Sequence, residues 1–241
     1  MEICSFNSYG DLSSAAADRI CQIIEKNPKA VFVLPTGNTP LGMFETLIQR
    51  FKSGLVSFNE AYLFELDEYL HQPKQDGPVL FAWLEKVFLN KVDFQQEKVF
   101  FFDPKTKNTK NECNKIQTRM DALGGADLVI LGLGPNGHLA MNEPRTSFNA
   151  STRLVDLTPA TIKSNSVYWG DESMVPLQGM TIGMNTFLDA REVILLVNGS
   201  SKKDILQRII STPTNTELPA TILHSLPNAY IYADKKALGN E

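Results

Sequence analysis

Short apolar runs alternate with segments of helical period along nearly the whole chain, and that alternation restricts the fold more than any other feature. Ile3 to Phe6, Val31 to Leu34, Tyr62 to Leu66, Val99 to Phe102, Asp127 to Leu131, Arg153 to Leu157, Val193 to Val197 and Tyr230 to Ala233 read as strands. Asp11 to Glu25, Pro40 to Phe51, Val79 to Asn90, Lys110 to Leu123 and Lys203 to Ile210 read as helices. Thr39 is the expected N-cap ahead of Pro40, and Gly124-Gly125 the stop after Leu123. Strands and helices in turn predict an α/β fold, a mostly parallel, doubly wound sheet covered on both faces in a Rossmann-like three-layer sandwich. Residues 1–241 are read as a single domain. The least regular stretch, Lys163 to Gln178, is rich in Ser, Asn, Gly and Pro. It reads either as a surface loop or as part of a lid over about 152–180.

Composition removes whole classes of function. The chain has 241 residues, 43% hydrophobic and 21% charged, which is ordinary globular usage and excludes a mainly disordered state. The net charge of −4 comes from interspersed acidic and basic residues. Nucleic acid needs a clustered basic face, so no nucleic-acid partner is expected. Three widely spaced cysteines, Cys4, Cys21 and Cys113, fit neither a disulfide framework nor a zinc site. A reducing, cytoplasmic setting follows. The start has no signal-peptide pattern, and no apolar run approaches the roughly 18 residues of a membrane span.

Open α/β sheets bind ligands beyond the carboxyl ends of their strands. The segments after Leu34, Leu66, Leu131 and Val197 are therefore the ones to inspect. After Leu34, the turn Pro35-Thr36-Gly37-Asn38-Thr39 leads into a helix. It reads as an anion site built from free N–H groups and the Thr36 and Thr39 hydroxyls, or as an ordinary turn and cap. After Leu66, Asp67 ends a buried strand. Burial there favours a raised pKa and a general-base role, against the plainer reading of a loop carboxylate. After Leu131, Gly132-Leu133-Gly134-Pro135-Asn136-Gly137-His138 contains G-x-G-x-x-G. A dinucleotide fingerprint has to open a long helix, and Pro144 disfavours one. The glycines instead let the backbone turn tightly against a sugar, with His138 and Glu143 as an acid/base pair. After Val197, Lys202 is placed to neutralise a phosphate, or is one of a solvated Lys pair.

LPTGNTP, LDEY, GLGPNGHLAMNEP and VNGSSKK occur in that order. Together they resemble the glucosamine-6-phosphate deaminase and galactosamine-6-phosphate isomerase family, which shares its fold with 6-phosphogluconolactonases. The resemblance implies conversion of an amino-sugar 6-phosphate and water to a ketose 6-phosphate and ammonia, with no metal and no other cofactor. It implies Asp67 as the base between C2 and C1, and His138 as the ring-opening group, assisted by Asn136 and Glu143. It places Thr36, Gly37, Asn38, Thr39 and Lys202 around the phosphate. A phosphate-binding Arg of well-known members aligns with Val167, for which Lys163 or Lys203 is a possible substitute. The chain also stops soon after Tyr232, without the C-terminal extension of hexameric, regulated members. A monomer is expected, with a homo-oligomer as the alternative. The lactonase and a non-enzymatic sugar-phosphate sensor remain as rival readings.

Overall fold

The computed structural model describes residues 1–70 and 79–240. Its strands are β1 (Glu2–Phe6), β2 (Val31–Leu34), β3 (Tyr62–Glu65), β4 (Asp67–Tyr69), β5 (Val99–Phe100), β6 (Leu128–Gly132), β7 (Arg153–Asp156), β8 (Gln178–Thr181), β9 (Val193–Val197) and β10 (Ala229–Asp234). Its helices are α1 (Tyr9–Lys26), α2 (Leu41–Lys52), α3 (Leu80–Val87), α4 (Thr109–Ala122), α5 (Pro159–Trp169), α6 (Met184–Asp189), α7 (Lys203–Ser211) and α8 (Lys235–Leu238). Seven strands form a parallel sheet in the order β1-β10-β9-β6-β2-β3-β5. A smaller antiparallel sheet has the order β4-β8-β7.

The period-two alternation of strand side chains explains the three layers. In β2, Phe32 and Leu34 join the core beneath α1, α2 and α3, with Leu12, Ile20, Phe44 and Leu84. Val31 and Val33 point the other way, into the core under α4, α6 and α7, with Ile116, Met120, Phe187 and Leu206. Central strands are apolar at every position because both faces are covered. Each fully buried Leu or Phe contributes about 1.5–3 kcal/mol, opposed by the entropy of ordering the chain.

Strand order locates the binding crevice. From β2 the chain moves outward through β3 to β5, then returns to place β6 on the other side of β2. The direction reverses between β2 and β6, and ligands bind at such a reversal, beyond the carboxyl ends of the strands. Those ends carry Pro35–Thr39 and the Gly-rich loop to His138.

Four local expectations change. Helix α2 starts at Leu41, with Pro40 in the cap position and no side-chain cap. The Tyr9 hydroxyl takes that role from outside: it accepts from Gly42 N–H at 2.8 Å and lies 2.9 Å from the Thr39 carbonyl oxygen. Thr39 is therefore not the cap. Asp67 does not end β3. The chain leaves the large sheet at Leu66, and Asp67 opens β4 opposite Thr181. Lys163 to Gln178 is not irregular throughout, since α5 runs to Trp169 and a 3-10 turn spans Glu172–Met174. Finally, β4, β8 and α6 were not expected at all.

Candidate active site

A cleft of about 400 Å³ opens at the β2–β6 reversal. One wall is the β2 turn, Pro35 to Thr39; another is the β6 loop, Gly132 to Pro135 with His138. Asp67 and Tyr69 enter from β4, Trp83 from α3, and Lys202 from the turn after β9. Helix α5 supplies Thr161, Ser164, Asn165, Tyr168 and Trp169. These sit at i, i+3, i+4, i+7 and i+8, one face of a helix.

The β2 turn reaches the cleft because Gly37 takes φ +94°, a left-handed conformation that side-chain-bearing residues rarely adopt. Thr36, Gly37, Asn38 and Thr39 all line the cleft.

Asp67 is 9% exposed. Burial, and then the neighbouring Glu68 carboxylate, push its pKa up to about 7. Strand alternation sends Asp67 and Tyr69 into the cleft. Glu68, 0% exposed, is flanked by them on β4.

The β6 loop is closed by Gly137 N–H donating to the Gly134 carbonyl at 3.1 Å and Gly134 N–H donating to the His138 carbonyl at 3.1 Å. A Cβ on Gly134 would lie 2.2 Å from the His138 ring, so the ring occupies the space a side chain would need. No helix follows Gly137 until α5, which removes the dinucleotide fingerprint. Asn136 Nδ2 donates to Glu143 Oε2 at 2.8 Å, and Asn136 Oδ1 accepts from His138 N–H at 3.2 Å. His138 Nδ1 lies 3.6 Å from Glu143 Oε2 and 3.4 Å from the Thr161 hydroxyl. At 3.6 Å the His–Glu pair is electrostatic rather than a good hydrogen bond. Thr158 Oγ1 donates to the other Glu143 oxygen at 3.1 Å. Burial pushes the Glu143 carboxyl up, but the polar hydrogens of His138, Thr161 and Asn136 outweigh it and hold the group at about 2. Glu143 is thus a fixed anion beside the His138 ring.

Asn142 has a different task. It is fully buried, donates to the Leu139 and Ile182 carbonyls at 3.1 and 2.9 Å, and accepts from Arg153 at 2.8 Å. It ties the loop to the small sheet.

Lys202 Nζ donates to the Leu133 carbonyl at 2.7 Å, and burial lowers its pKa. Two ammonium hydrogens remain for a ligand. The turn that carries it depends on Gly199, at φ +86°, whose N–H donates to Asp234 at 3.0 Å.

The cleft therefore brings together a buried carboxyl of pKa near neutral, a histidine held against a carboxylate, and a threonine-rich turn with one lysine. The family model described as glucosamine-6-phosphate isomerases/6-phosphogluconolactonase matches residues 8–231. This chain belongs to that family. Within it, the glucosamine-6-phosphate deaminase of Clostridium tetani is 35% identical over 237 residues, covering 98% of each chain. The deaminase of Parabacteroides distasonis is 36% identical over 236 residues, 95% of this chain and 87% of its own. Among solved structures, a monomeric glucosamine-6-phosphate deaminase aligns over 100% of both chains with a TM-score of 0.95 and 29% identity. A 6-phosphogluconolactonase of Thermotoga maritima aligns over 97% of this chain and 98% of its own with a TM-score of 0.73, at 20% identity, a likeness of fold.

Asp67, His138, Lys202 and the turn 36–39 line this cleft, and Asn136 and Glu143 stand directly behind His138. Val167, 76% exposed, does not line the cleft, and neither do the exposed Lys163 and Lys203. Ser164 and Asn165 occupy the face of α5 that meets it. Sequence reasoning missed Tyr69, Trp83 and this face of α5. The spacing Thr161, Ser164, Asn165, Tyr168 was available as a signal, since it marks a polar helical stripe. Among the described residues, no helix is long and apolar enough to cross a membrane.

Proposed function

We propose that the chain converts glucosamine-6-phosphate and water to a ketose 6-phosphate and ammonia. The observation that carries this is the separation of two acid/base centres, Asp67 at the β3–β4 junction and His138 on the β6 loop, in one cleft. Ring opening and proton transfer between C2 and C1 act on different atoms and call for separate groups.

The Glu143 anion faces His138 Nδ1, which leaves Nε2 to take the O1 proton and return it to the ring oxygen. Asp67 then removes the C2 proton, and the electron pair forms a C1–C2 double bond as the C2 ammonium gives its proton to O1. The proton returns from Asp67 to C1 while the nitrogen lone pair forms a C2–N double bond. Water adds at C2, and ammonia leaves to give the ketone. A carboxyl with a pKa of about 7 suits a group that must both accept and return a proton at neutral pH. The 36–39 turn and Lys202 hold the phosphate, whose binding energy positions C1 and C2.

The likeness to a monomeric deaminase supports action as a monomer, which sedimentation of the purified chain tests. A cytoplasmic location fits three free cysteines, and cell fractionation tests it. The segment 152–180, which carries α5 across the cleft, serves as its lid. Hydrogen exchange of the α5 amides should slow when a ketose 6-phosphate is added, and unchanged exchange contradicts the lid. For the reaction itself, purified protein should release ammonia from glucosamine-6-phosphate. Hydrolysis of 6-phosphogluconolactone without ammonia release would replace this function with the lactonase.

A further inference from the structure

Glu68 has no assigned part in this chemistry, yet it is the most deeply buried carboxyl beside Asp67. It is 0% exposed, and among the described residues its oxygens accept three backbone hydrogen bonds: from Tyr69 N–H at 2.8 Å, Leu80 N–H at 3.1 Å and Phe81 N–H at 3.1 Å. Leu80 and Phe81 begin α3. The carboxylate therefore satisfies N–H groups that a helix start leaves unpaired, and it does so from a strand ten or more positions earlier in the chain. A buried carboxylate without such donors is costly. The three bonds make the charge tolerable and fasten two walls of the cleft to one side chain. β4 presents Asp67 and Tyr69 to the cleft, and α3 presents Leu80 and Trp83.

We propose that Glu68 is a positioning residue that locks the start of α3 to the Asp67 strand and holds its carboxylate directly behind Asp67. The idea rests on Asp67 acting as the base of the proposed reaction. The surroundings favour a direct electrostatic action. β8 faces β4 with Gly179, Met180 and Thr181, none of them charged. α3 meets Glu68 through backbone N–H groups. Among the described residues, the other titratable groups that feel the pair are Glu65, at the end of β3, and the Tyr69 phenol. Burial comes first among the causes that push both upward, which favours their neutral forms. Burial also lifts Glu68 itself to about 7, against the pull of its three N–H donors, so its charge grows in over the range where Asp67 works.

The test is the pH profile of ammonia release from glucosamine-6-phosphate by the unmodified chain, Glu68→Gln and Glu68→Asp. Gln keeps the size and an acceptor oxygen but no charge. Removing a like charge beside Asp67 favours its ionised form, so the acid limb of kcat/KM should move down by about one pH unit. kcat should fall about tenfold as α3 loosens, with KM changed less than about threefold. Asp keeps the charge but is one methylene short of α3, so its acid limb should stay in place while kcat falls. An unmoved acid limb in Glu68→Gln overturns the proposal, and so does an undiminished kcat in both variants. If Glu68→Gln does not fold, Glu68→Asp decides: a displaced acid limb or a full kcat overturns it. Ammonia release with an unmoved limb removes this inference alone, whereas no release by the unmodified chain removes the deaminase function and the inference with it.

Discussion

Asn136 donates its side-chain amide to Glu143 Oε2 at 2.8 Å, and that same oxygen lies 3.6 Å from His138 Nδ1. The amide aims the carboxylate, and the carboxylate fixes which ring nitrogen faces the cleft. Glu143→Gln removes the anion and leaves the size. It should lower kcat by about 10²–10³-fold, because it weakens the acid/base group without touching the phosphate site. KM should stay within about threefold, and steady-state kinetics at pH 7.5 reads both. A variant with full kcat separates Glu143 from the chemistry.

The depressed pKa of Glu143 also has a stability consequence. Its folded value of about 2 lies below the ordinary 4.5, so its contribution is present above about pH 4.5 and is lost as pH falls towards 2. Asp67 behaves oppositely. Its folded value of about 7 exceeds the ordinary 3.8, so its contribution is full below about pH 4 and is lost as pH rises through 7. Asp67→Asn should therefore raise the thermal midpoint at pH 8 by about 2–12 °C, from about 1–3 kcal/mol of relieved desolvation. The gain should vanish near pH 4. Calorimetry at the two pH values checks the sign, and a variant less stable at pH 8 would show that Asp67 has a stabilising partner.

Gly134 tests the loop. A methyl group there would sit 2.2 Å from the His138 ring. Gly134→Ala must push the ring aside, and a displacement of about 1 Å costs on the order of 10² in rate. Loss of kcat with a folded circular-dichroism spectrum is expected. Unchanged kcat means that the ring is free to move without consequence.

Lys202 should act on binding. Lys202→Met keeps the aliphatic stem and removes the ammonium, which donates to the Leu133 carbonyl. A charge-assisted hydrogen bond contributes about 1.5–3 kcal/mol, so KM should rise about 10–100-fold with a smaller change in kcat. An unaltered KM would move the phosphate away from this lysine.

Much of this architecture is legible in the residues. Apolar strands such as Val193–Val197 and turns such as Gly124-Gly125 are local signals, and each strand end carries its own loop. Of the small sheet only β7 is legible; β8 is not, because Gln178-Gly179-Met180-Thr181 is short and pairs with β4 across more than 100 positions. The start of α5 was readable in retrospect, since Thr158 caps it and Pro159 follows. Its polar stripe of Ser, Thr and Asn looks like a loop because that face meets the cleft instead of a core. Glu68 was equally opaque, as its partners at Leu80 and Phe81 appear only once the chain is folded. The His138–Asn136–Glu143 group was readable because all three sit on one short loop.

The role of Asp67 as the carrier of one proton from C2 to C1 is tested most directly by deuterium at C1 of the ketose product. In D₂O, the unmodified chain should place deuterium at C1 to the extent that Asp67 exchanges with solvent, and Asp67→Asn should form neither labelled ketose nor ammonia. Ketose and ammonia formed by Asp67→Asn at the unmodified rate, with the same C1 label, would contradict the account.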